Sequence, residues 1–132
     1  MGDFDSGSSA KPVAHEFLTK WGEHGYESGF LKYPTTDEIV LSDGGRRQEF
    51  QGGSIYFSFA TGAHSTQGLI RDKWISLGGA TGALGYPVSD ELPVSGNLAN
   101  QYSRMQHFQG QSTLLYNPTT GQVVQMSYSP EE

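Results

Sequence analysis

The chain has 132 residues, a formal net charge of −6, 18 glycines and no cysteine. That length bounds one compact domain or two small units sharing a core. An acidic balance with basic residues scattered apart from Arg46-Arg47 argues against nucleic acid as a partner, and the lack of cysteine removes disulfide and thiolate chemistry.

In chain order, residues 1–10 are rich in Gly, Asp and Ser and read as a disordered tail. Asp3 and Asp5 hint at a calcium loop, but the remaining ligands and the distal Glu are missing, so no metal is assigned. The same residues are acidic and small where a signal peptide is basic and then apolar, so none is expected here. No apolar run approaches the roughly 18 residues of a membrane span.

Pro12 suits the first turn of a helix, and Val13, Phe17 and Trp21 then form one apolar stripe. Gly22 and Gly25 can end that helix in a left-handed turn. Residues 46–51 and 54–59 read as a β-hairpin around Gly52-Gly53 in a tight primed turn. Ile55, Phe57 and Phe59 are expected on its buried face, with Tyr56 and Ser58 outward. A second helix follows, with Ile70, Trp74 and Leu77 as its stripe and Gly78-Gly79 as its stop. Residues 105–109 and 112–116 pair around Gly110, residues 122–128 close the sheet, and residues 129–132 are a tail.

The second half of the chain echoes the first. From Trp21 and from Trp74, eighteen-residue stretches lie 53 apart and share eight identities, including Leu31/Leu84, Tyr33/Tyr86, Pro34/Pro87, Asp37/Asp90 and Glu38/Glu91. Arg46-Arg-Gln-Glu-Phe-Gln-Gly-Gly-Ser54 then returns as Arg104-Met-Gln-His-Phe-Gln-Gly-Gln-Ser112, with six identities in nine. Self-similarity at such a period marks a repeat architecture. The expected fold is α+β: two tandem repeats, residues 11–66 and 67–128, each a short helix plus an antiparallel hairpin or small sheet, packed on one shared core. With only two units, a homo-oligomer stays open.

Leu84-Gly85-Tyr86-Pro87, its variant Leu31-Lys32-Tyr33-Pro34, the following Asp-Glu pairs and Phe50-Gln-Gly-Gly-Ser-Ile-Tyr56 resemble the LGFP repeat over roughly residues 11–128. That resemblance implies a non-catalytic module of the kind appended to secreted actinobacterial hydrolases and mycolyltransferases. Such modules tether enzymes to cell-wall polysaccharide. A secreted or cell-wall-associated setting follows from the resemblance, with the cytoplasm as the alternative.

The residues themselves show no catalytic constellation and call for no cofactor. His15, His24, His64 and His107 lack metal spacing, and no Gly-x-Ser-x-Gly elbow is present. Asp37-Glu38 and Asp90-Glu91 suggest glycosidase carboxylates, but neighbours on an extended segment point to opposite faces. The plainer reading has Asp capping a turn and Glu pairing with Arg47 or a backbone amide. Trp21 and Trp74 belong to the core, and Tyr33 and Tyr86 wedge between helix and hairpin. Tyr26, Tyr56 and Tyr102 offer outward platforms on which a pyranose can stack. The loop of residues 92–103, longer than its counterpart, adds Asn100. The function expected is a carbohydrate-binding, lectin-like module that takes a polysaccharide or glycan between the units. Tyr56, His64, Asp90 and Glu91 are its first candidates, followed by Asp37, Glu38, Arg47, Tyr102 and Asn100. The alternatives are a protein–protein interaction module and, more distantly, a small glycoside hydrolase.

Overall fold

The computed structural model describes residues 11–127. The expected tails, the Asp3/Asp5 motif and the last residue of the closing strand lie outside them. The fold is α+β. Helix α1 (His15–Glu23) precedes strands β1 (Ile39–Val40), β2 (Arg46–Phe50), β3 (Gly53–Ser58) and β4 (Gly62–Thr66). Helix α2 (Gly68–Ser76) precedes β5 (Leu92–Pro93), β6 (Arg104–Phe108), β7 (Ser112–Asn117) and β8 (Gln122–Ser127). Each set of four strands is an antiparallel meander in sequence order. α1 lies on β3 and β4, and α2 lies on β7 and β8.

The stripes that predict the helices are the faces they bury. Phe17 and Trp21 are 1 % exposed, and Ile70 and Trp74 are 1 % and 0 % exposed. Each such side chain contributes about 2–3 kcal/mol of burial. α1 begins later than Pro12 suggests: its N-cap is Ala14, and the Pro12 carbonyl accepts a hydrogen bond from Gln48 Nε2 at 2.9 Å. The helices stop where expected, at Gly25 and Gly78, both left-handed at φ of 93° and 110°.

The repeated tetrapeptide has a specific task. Each tryptophan donates its indole N–H to the carbonyl of the motif's second residue, Trp21 to Lys32 at 2.8 Å and Trp74 to Gly85 at 2.9 Å. Presenting that carbonyl requires a left-handed backbone, with φ of 61° at Lys32 and 75° at Gly85. Glycine adopts this without cost and lysine does not.

Three sheet expectations are corrected. First, the β2–β3 turn is Gln51-Gly52, and neither residue has positive φ, so it is not a primed turn. Glycine is needed at 52 because a Cβ there would lie 1.7 Å from the Phe30 carbonyl oxygen. Second, the pairing Phe108↔Ser112 against Phe50↔Gly53 gives the second hairpin one more turn residue. The spatial counterpart of Ser54 is therefore Thr113, not Ser112. Third, β3 does not alternate: Ile55, Tyr56 and Phe57 are all buried, and Phe59 is 90 % exposed. The strand is covered on both faces, by α1 on one and by the second unit on the other.

That double cover ties the units together. One apolar cluster holds Phe17, Trp21, Leu31, Phe50, Ile55 and Phe57. The other holds Ile70, Trp74, Leu84, Tyr86, Phe108 and Leu114, and it takes in Tyr56 from the first unit. The shared core expected from the sequence is thus two clusters linked by one strand. Gln106 adds a polar clamp, its Nε2 donating to the carbonyls of Ser65 and Ser89, both at 2.8 Å. Gln48 does the same in the first unit, to Pro12 and Thr36.

Candidate functional site

Asp90 sits at the seam between the units. Its carboxylate accepts from Lys20 Nζ at 3.0 Å and from the Ser65 backbone N–H at 3.1 Å. His64 Nδ1 lies 3.1 Å away and His24 Nε2 3.5 Å away. Burial opposes the charge, but the hydrogen bonds from His24, His64 and Lys20 outweigh it and hold the carboxyl well below the ordinary aspartate range. Lys20, penalised by burial but bonded to Glu23 and Asp90, is raised above the ordinary lysine value. Lys20, His24, His64 and Ser65 of the first unit therefore surround one carboxylate of the second. Asp90 is an acceptor joining two units rather than the cap of its own turn.

Glu91, the next residue, faces elsewhere. Its Oε1 accepts from Gln67 Nε2 and from Arg104 Nε, each at 3.2 Å. These three residues and Tyr116 line a cleft of about 280 Å³ between the start of α2 and the β6–β7 ladder. The cleft carries unused hydrogen-bonding capacity. Glu91 Oε2, Arg104 Nη1 and the Tyr116 hydroxyl have no protein partner among the described residues. One is an acceptor, one a donor, and the hydroxyl can be either.

The other candidates are dispersed. Tyr56 and Tyr102, expected as outward platforms, are 5 % and 7 % exposed. The Tyr56 ring packs edge-on against Trp74 at 4.6 Å and near Tyr86 at 6.4 Å, so it offers a ligand no free face. Burial pushes its hydroxyl pKa up. Arg47 pairs with Glu49, while Glu38 pairs with Arg46, the neighbouring residue. Asp37 and Asn100 are exposed. Tyr86 is the inter-unit wedge, its hydroxyl donating to Asp43 Oδ1 at 2.7 Å, whereas Tyr33 is 39 % exposed. Of the four first candidates, His64 and Asp90 come together, Glu91 adjoins them, and Tyr56 lies in the core beneath. Arg104, Gln67 and Tyr116 were not singled out from the sequence. The identity Arg46/Arg104 beside Glu38/Glu91 is the signal that points to the first of them.

Among the described residues, no three His, Asp or Glu side chains gather to hold a metal ion, and no helix is long and apolar enough to cross a membrane. Compared with known families, residues 31–82 match the model of the LGFP repeat. No curated protein matches the chain. The matched stretch begins at the first tetrapeptide and ends just after α2, so it spans β1–β4 and the helix that follows them.

Proposed function

The chain carries an LGFP repeat, and from that premise we infer that it is a non-catalytic carbohydrate-binding module directed at cell-wall polysaccharide. The sugar is held in the cleft of Gln67, Glu91, Arg104 and Tyr116. The observation that carries this reading is the set of polar groups without a protein partner that converge there: a carboxylate oxygen, a guanidinium N–H and a phenolic hydroxyl. Sugar hydroxyls both donate and accept, and charged partners make the stronger hydrogen bonds. Tyr116 supplies the aromatic surface that Tyr56 and Tyr102 do not. A secreted or cell-wall-associated setting accords with the repeat family.

The test is a glycan array with a cell-wall pull-down, followed by amide NMR titration with any saccharide that binds. Shifts are expected to cluster at Gln67, Glu91, Arg104 and Tyr116, and Arg104→Ala is expected to weaken binding about tenfold or more. Saturable binding with these residues unmoved would place the sugar elsewhere. A folded sample silent on every glycan would favour the protein-partner reading.

A further inference from the structure

The two units offer a controlled comparison, because equivalent positions are occupied by different side chains. In the first unit, Arg46 is fully employed. It pairs with Glu38 and, at 3.2 Å, with Glu16, and its guanidinium lies 5.8 Å and 4.7 Å from the Phe17 and Phe57 ring centroids. Lys20 is likewise neutralised, by Glu23 at 2.9 Å and Asp90 at 3.0 Å.

In the second unit both cations remain, and of their partners only Glu91 does. Arg104, at the ladder position of Arg46, keeps Glu91 alone. Leu69 stands at the helix position of Glu16, Ile70 at that of Phe17, and Tyr116 at the strand position of Phe57. Lys73 stands at the position of Lys20, with Ser76 where Glu23 would be, and its ammonium has no ion pair or hydrogen bond among the described residues. The side chain of Arg104 is 42 % exposed, against 24 % for Arg46. The cleft beside Arg104 adjoins a second, of about 400 Å³, lined by Leu69, Lys73, Gly121, Gln122 and Val123. Leu69 borders both, so the two lie side by side along α2 as a two-part groove, Arg104 in one part and Lys73 in the other.

We propose that this groove binds a carboxylate-bearing saccharide, a uronic-acid glycan, with the ligand's carboxylate on Arg104 in the place that Glu16 fills on Arg46. Lys73 receives a second acidic residue of the same chain. The first unit already shows that one arginine here accommodates two carboxylates, so Glu91 does not exclude the ligand. The net charge of −6 acts against an anion at long range, but salt screens it beyond about 10 Å and leaves contacts within the groove largely intact. This inference rests on the glycan-binding reading and adds its charge class.

The experiment titrates the full chain, by calorimetry, with oligogalacturonate and with a neutral oligosaccharide of equal length. The decisive variant is Leu69→Glu, which installs in the second unit the carboxylate that Glu16 supplies in the first. Leu69 is 49 % exposed in the first turn of α2, where an acidic residue also suits the helix dipole, so folding is expected to be unchanged. Wild type should bind the uronate at least tenfold more tightly than the neutral sugar. Leu69→Glu should remove that preference while leaving the melting temperature within error, and Lys73→Gln should weaken uronate binding severalfold. Equal affinity for the two sugars, or an undiminished preference in Leu69→Glu, overturns the charge class and leaves glycan binding standing. Binding of neither sugar overturns the charge class and counts against the glycan reading beneath it.

Discussion

At the scale of single residues, the first tetrapeptide carries a defect that the second does not. Lys32 holds a left-handed backbone so that its carbonyl can meet the Trp21 indole, and a side chain there costs roughly 1–2 kcal/mol. Lys32→Gly should raise stability by roughly 0.5–1 kcal/mol once the added freedom of the unfolded chain is offset. Urea denaturation would show it, and an unchanged midpoint would mean that Lys32 is not strained. Asp90 gives a prediction in pH. Its folded pKa is the depressed one relative to the ordinary 3.8, so its charge stabilises fully above that value and the benefit drains away as the pH falls below it. Asp90→Asn should therefore cost about 2 kcal/mol near pH 6, as expected for a hydrogen-bonded charge, and progressively less below pH 4. A gap that does not change between pH 6 and pH 3 would show that the network does not depend on the ionised carboxyl.

Among the elements, legibility followed the apolar pattern. Both helices could be read because tryptophan and its stripe partners recur at helical spacing, and both hairpins because Phe50 and Phe108 precede Gly-containing turns. β4 could not: Gly62-Ala-His-Ser-Thr66 has no apolar alternation, since it faces the polar seam, where His64 and Ser65 meet Asp90. β1 and β5, two residues each, are too short to leave a period. Tyr56 was misplaced for a related reason. Alternation assumes one wet face, and β3 has none. The candidate cleft was half legible, because Glu91 stands in a repeated doublet, whereas Leu69 and Lys73 matter only once Glu16 and Lys20 are seen to pair with Arg46 and Asp90 in three dimensions.

Across the whole molecule, Tyr56 makes the second unit's core depend on a strand of the first. The two units should melt as one. Fluorine NMR of 5-fluorotryptophan at Trp21 and Trp74, one buried in each cluster, should give coincident unfolding curves. Tyr56→Ala should cost about 3–5 kcal/mol and let the Trp74 signal be lost first. Separate transitions in the wild type would mean that the units are independent.

The Gln106 clamp has a mechanical consequence. By holding the carbonyls of Ser65 and Ser89 to one amide, it closes α2 and the first part of the second unit into a non-covalent loop. Tension applied through the chain ends passes across that clasp and the Asp90 contacts beside it before it reaches the enclosed helix. Only when they part does the loop pay out, and the 24 steps from Ser65 to Ser89 then release roughly 80 Å of slack at about 3.4 Å each. A chain clasped this way yields in one long step.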